Sequence, residues 1–241
     1  HRDLHSFPTR RSSDLFTPLQ GNFRTYLDGT FCCVGSGIEN APRYNEGIYF
    51  QEKSGAVWIN LYIPSILNGK QLSLRQEGDV AKGDPVRVTI GKSAETEPLT
   101  LNFRIPAWIS DPAVLSVNGK ENARSSKPSS FLSVTRIWKT GDRIALTLPA
   151  RLRLERAKDE PSMVSMFMGP VVLAGTLGRE GMPNDFADKD AYVDAPKAAV
   201  PPIVSASDNP ADWLKPVPGQ DLAFEIHNAG PATGIVFRPL Y

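Results

Sequence analysis

The stretch LTLNFRIP at residues 99–106 sets Leu99, Leu101, Phe103 and Ile105 against Thr100, Asn102 and Arg104. A chain written at that period can gather its apolar side chains on one face only as a strand; a helix would scatter them around its circumference. AVWINLYIP at 56–64 repeats the pattern, with Val57, Ile59, Leu61 and Ile63 alternating with Trp58, Asn60 and Tyr62, and predicts a strand through all seven. Turn residues punctuate the chain beyond these two stretches. Asn118-Gly119 in VLSVNGKEN is a strong hairpin signal, because both residues tolerate positive φ. Gly141-Asp142 precedes Ile144, Leu146 and Leu148, and Gly169-Pro170 divides PSMVSMFM from VVLAGTL. Short strands at this spacing predict a mainly β chain of the β-sandwich class.

Outside this region the pattern differs. VGSGIENAPRYNEG predicts a short helix entered at Ser36 or Gly37 and broken near Pro42, where proline removes an interior hydrogen bond. Residues 178–219 carry Pro, Ala, Asp and Lys without period and read as long loops. DLAFEIHNAG and TGIVFRPLY resume strand-like composition up to Tyr241, an ending that reads as truncation in mid-strand.

Residues 1–15, HRDLHSFPTRRSSDL, written back as codons resemble a common DNA-sequencing adapter translated in frame, and are set aside from fold reasoning. Arg2, Arg10, Arg11, Asp3 and Asp14 leave with them, so the formal net charge of +1 falls to zero. His1 and His5 leave too. His227 is then the one histidine remaining, expected at a surface or strand edge, which excludes a histidine-built metal site or triad within this chain. Zero net charge without basic blocks argues against nucleic acid as a partner. No apolar run approaches the roughly 20 residues of a membrane-spanning helix.

Both cysteines of the chain are adjacent, Cys32 and Cys33 in GTFCCVGSGIEN. A disulfide between neighbours closes a strained ring, which leaves three readings: a reactive thiol, a metal-bound pair, or two buried residues. Glu39 and Glu46 flank the pair, but carboxylates at helix or turn edges commonly act as solvated caps. Trp58, Tyr62, Trp108 and Trp138 could stack on sugars, although alternating strands favour core or interdomain packing for them.

FCCVGSGIENAPRYNEGIYF, then VWINLYIPS, LNFRIPAW, LSVNGK, IWKTGDRIALTLP and GPVVLAG, in that order, resemble the C-terminal part of glycoside hydrolase family 127, the β-L-arabinofuranosidase family. The resemblance implies the tail of an (α/α)6 catalytic barrel at 16–47, a β-sandwich at 48–149 and a second, truncated sandwich at 150–241. It further implies that Cys32 is the nucleophile of a retaining glycosidase, and that Cys32 and Cys33 are zinc ligands beside a Glu and a Cys from an upstream Glu-x-Cys segment. Zinc would hold the thiol deprotonated, and attack on the anomeric carbon would give a thioglycosyl intermediate that water hydrolyses with retention. The implied partner is an arabinose-containing glycan or glycoside. The acid/base glutamate of the family lies upstream. Many relatives carry His after Glu-Asn where this chain has Ala41. Two other classes of function fit the strands alone: a structural brace for the barrel, or a carbohydrate-binding module.

Overall fold

The computed structural model describes residues 43–178 and 199–240. Ten strands occupy the first part: β1 (Tyr49–Gln51), β2 (Val57–Ile59), β3 (Ser65–Asn68), β4 (Leu72–Glu77), β5 (Val86–Ser93), β6 (Leu99–Ile105), β7 (Ala113–Val117), β8 (Lys120–Ser125), β9 (Ser130–Arg136) and β10 (Arg143–Thr147). Six more complete the chain: β11 (Leu152–Arg156), β12 (Val164–Met168), β13 (Val171–Gly175), β14 (Leu214–Pro216), β15 (Phe224–Ile226) and β16 (Val236–Pro239). From residue 48 onward the described helical pieces are single 3-10 turns, Val80–Lys82, Pro210–Asp212 and Gly230–Ala232. The chain is mainly β, as the alternation predicts.

β1 to β10 form a sandwich. One sheet runs β1-β2-β6-β9 and the other β3-β4-β5-β10-β7-β8. Their facing side chains share one core: Val57, Ile59, Leu101 and Phe103 from the first sheet meet Leu74, Val88, Ile90, Leu115, Ile144 and Leu146 from the second. Burying each such side chain contributes about 1.5–3 kcal/mol. That term decides the register, since a one-residue slip would turn the whole set to solvent. The Asn118-Gly119 turn joins β7 to β8 with φ of 51° and 80°. Both residues are left-handed, as a two-residue turn matched to the strand twist requires.

Two expectations need correction. The strand foreseen through Ile63 stops at Ile59; Leu61 and Ile63 lie outside the sheet, and Ile63 is exposed. The cause is a set of hydrogen bonds from side chains of other strands, which captures the carbonyls of Asn60, Leu61 and Ile63. Asn102, a polar position of the alternation, is only 4% exposed. Its Oδ1 accepts from Ser133 Oγ, its partner on β9, at 2.6 Å, and Trp58 stands opposite it on β2. Finally, the stretch 178–219 holds a strand. Asn209 caps the turn Pro210–Asp212 by accepting from Ala211 N, after which Trp213 and Leu214 are buried and β14 pairs with β15. One turn of apolar sequence sufficed, too short to show a period.

Among the described residues the second part is a single antiparallel sheet, β11-β12-β13-β16-β15-β14. Its own core gathers Met166, Leu173, Trp213, Leu214, Phe224 and Ile226. Residues 45–176 and 203–240 pack as one compact unit. The β12–β13 turn meets the sandwich at Gly169 (φ 54°), where a Cβ would stand 2.8 Å from Ala150 Cβ and 3.5 Å from Trp108 Cε3.

Candidate functional site

Cys32 and Cys33, with Glu39 and Ala41, lie outside the described residues, as does the helix expected between Ser36 and Pro42. Among the described residues no three His, Cys, Asp or Glu side chains gather where they could hold a metal ion. Glu46 is described; it sits exposed in the 3-10 turn Tyr44–Gly47.

What is described is how the chain is held where it leaves that region. Asn60 Nδ2 donates to the Gly47 carbonyl at 3.0 Å, and Asn60 N donates to Ile48 O at 2.8 Å. Asn60 is itself held, since Arg104 Nε donates to its carbonyl at 2.5 Å. Tyr62 OH donates to Arg104 O. Gln76, 1% exposed on the inward face of β4, donates from Nε2 to Leu61 O at 2.9 Å and Ile63 O at 2.8 Å. These bonds satisfy carbonyls that would otherwise lack partners beside a core, where an unmet buried acceptor costs about 1–3 kcal/mol. They also explain why β2 ends: the carbonyls of Asn60, Leu61 and Ile63 turn to side chains instead of a neighbouring strand. Burial drives the Tyr62 phenol far above its ordinary range, with Arg104 opposing, so the group is a neutral donor. Burial also raises Tyr49, against its hydrogen bond with Ser65.

This arrangement anchors a chain segment; it presents no nucleophile. Sequence reasoning singled out Tyr62 and missed Asn60, Gln76 and Arg104 as an ensemble. The one legible signal was Gln76, a polar residue at an inward position of the Leu72, Leu74, Gln76 alternation.

The four aromatics separate. Trp138 is fully buried, with Nε1 donating to Leu99 O at 2.8 Å. Tyr62 and Trp108 pack at the core margin, and Trp108 also meets Gly169 from the second sheet unit. Trp58 lies on the outer face of its sheet and donates to Glu52 Oε1 at 2.7 Å. His227 is half-exposed just after β15, 3.4 Å from Glu225.

Residues 56–150 match the family model described as "Beta-L-arabinofuranosidase, GH127 middle domain". Among curated proteins none matches the chain. Two solved structures with TM-scores above 0.5 share the fold. One titled "Glycoside hydrolase" is 21% identical with a TM-score of 0.62, covering 90% of this chain and 38% of its own. The GH127 β-arabinofuranosidase BT3674 is 22% identical with a TM-score of 0.53, covering 64% of this chain and 28% of its own. Ara127N-Se, a GH127 β-L-arabinofuranosidase from Geobacillus stearothermophilus T6, is 23% identical with a TM-score of 0.49, covering 59% and 23%. The chain thus spans well under half the length of each.

Proposed function

We propose that this chain, which belongs to glycoside hydrolase family 127 through its middle domain at residues 56–150, is the C-terminal piece of a retaining glycosidase acting on β-L-arabinofuranosides. The match at 56–150 carries the reading, because that domain follows a catalytic domain in the family the motifs resemble. In this reading 16–47 is the end of the catalytic barrel, 48–149 the first sandwich and 150–241 part of a second.

Cys32 is then the nucleophile, and Cys32 and Cys33 supply two of the ligands to zinc. Two thiolates are a soft donor pair of the kind zinc takes. Bound zinc would supply a thiol held as thiolate at neutral pH. The sandwich's part is positional. Asn60, held by Arg104, fixes Gly47 and Ile48 at the start of the sandwich. A nucleophile must be held close to its attack geometry to be effective.

The test extends the reading frame upstream of residue 16, expresses the longer protein, and assays an aryl β-L-arabinofuranoside alongside zinc content. Turnover that is retained on the zinc-loaded protein and lost in Cys32→Ser supports the reading. An upstream sequence without a Glu-x-Cys segment, or equal turnover in Cys32→Ser, overturns it.

A further inference from the structure

β11 is an edge strand, and the direction of its free edge can be worked out. Gly169 N donates to Arg151 O at 3.2 Å and Ala157 N to Met163 O at 2.9 Å, so residues 151, 153, 155 and 157 face β12. By the alternation of an antiparallel ladder the backbone groups of Leu152 and Leu154 face outward, and they bond to no described residue. They open into a cleft of about 430 Å³ walled on the far side by Asp208, Asn209 and Pro210, the start of a 3-10 turn that packs on β11. That volume is within the range of small-molecule sites.

The cleft is rich in arginine. Arg151, Arg153 and Arg156 all line it. Arg153 is committed to the protein: it pairs with Glu155, donates to Gly169 O at 3.2 Å and lies 4.1 Å from the Phe167 ring centroid. Arg156 donates to Pro161 O at 3.0 Å and pairs with Asp208 at 2.7 Å, but the Asp208 side chain is 92% exposed. Such an exposed pair is worth little and exchanges readily. Arg151 is exposed and has no side-chain partner among the described residues. Three guanidinium groups against Glu155 and Asp208 leave one positive charge in excess, on the residue without a partner.

We propose that this cleft binds a carboxylated sugar. The carboxylate would take the fork of Arg151, since two parallel N–H groups match two carboxylate oxygens. Sugar hydroxyls would meet the outward backbone groups of Leu152 and Leu154. The wall at 208–210 makes the recess a better fit to one or two sugar rings than to an added peptide strand. The sugar half of this assignment rests on the glycosidase reading; the anion half stands on the arginines.

The chain itself can be tested by 15N-edited NMR titration at low salt with digalacturonate, with neutral galactobiose and with inorganic phosphate. The expected result is saturable shifts at β11 and 208–210 with digalacturonate alone. Arg151→Ala should weaken binding about ten-fold and Arg151→Lys less, because lysine keeps the charge without the fork. No saturable shift, or unchanged binding in Arg151→Ala, overturns the proposal. Equal binding of phosphate would show a simple anion site and overturn the sugar assignment. Arabinosidase activity of the longer protein is measured separately, so either reading can fail while the other stands.

Discussion

Asn118 and Asp142, 24 residues apart in sequence, are joined by a hydrogen bond of 2.7 Å from Asn118 Nδ2 to Asp142 Oδ1. Asp142 Oδ2 also accepts from Lys139 N at 2.9 Å, and Asn118 Oδ1 accepts from Arg143 N at 2.9 Å. The Asn-Gly and Gly-Asp turns are therefore one unit that clamps β10 between β5 and β7. Burial alone would raise the Asp142 carboxyl, but the bonds from Lys139 N and Asn118, with Arg136 nearby, outweigh it and lower the pKa.

A lowered folded-state pKa means stability that is present above the ordinary carboxylate range and lost as pH falls through the depressed value. Asp142→Asn should thus be less stable than the parent at pH 7, by about 2 kcal/mol, and the gap should narrow in acid. Urea unfolding of both proteins at pH 7 and at pH 3 checks this; a gap independent of pH would contradict it.

Trp138→Ala should cost about 3–5 kcal/mol, the usual range for emptying a large aromatic site. Trp138→Phe keeps most of the volume but strands the Leu99 carbonyl, at about 1–3 kcal/mol. Thermal melts followed by near-ultraviolet circular dichroism would order the parent, Phe and Ala proteins in that sequence.

Gly169→Ala should destabilise by about 1–3 kcal/mol, because the new methyl meets Ala150. Ala150→Gly in the same chain should recover part of the loss by opening the space, so the two changes should be non-additive. Additive losses would mean that backbone strain at φ 54°, not the contact, is responsible.

Tyr62 should resist ionisation beyond the other tyrosines in an alkaline absorbance titration. Its raised folded-state pKa gives stability that is complete below the unfolded value near 10 and lost as pH rises above it. Tyr62→Phe should weaken that alkaline dependence and cost about 1 kcal/mol at neutral pH through the lost bond to Arg104 O.

In the longer protein Cys33→Ser should differ from Cys32→Ser. On the proposed roles, Cys33→Ser would leave the nucleophile in place and take one thiolate from the metal, so reduced zinc content and turnover that added zinc restores are expected. Label from a cysteine-directed sugar inhibitor on Cys33 in peptide mass spectrometry would show that the two roles are exchanged.

Local chemistry was enough to read much of this chain. LTLNFRIP became β6, Asn118-Gly119 a two-residue turn and Gly169-Pro170 the break between β12 and β13. In each the determining residues are neighbours, so period two or a tolerance of positive φ decides the outcome before any distant contact forms. Tertiary structure decided what depends on distant partners. β2 ends at Ile59 because Arg104 and Gln76, from other strands, take the carbonyls of Asn60, Leu61 and Ile63. β2 runs parallel to β6, a pairing across some forty residues that no local pattern encodes. Asn102 is buried between strands, with Trp58 opposite it on β2 and Ser133 bonding its Oδ1 from β9. Burial and hydrogen-bond satisfaction are properties of the packed chain, and a polar residue at an alternating position carries no mark of which side chains will cover it.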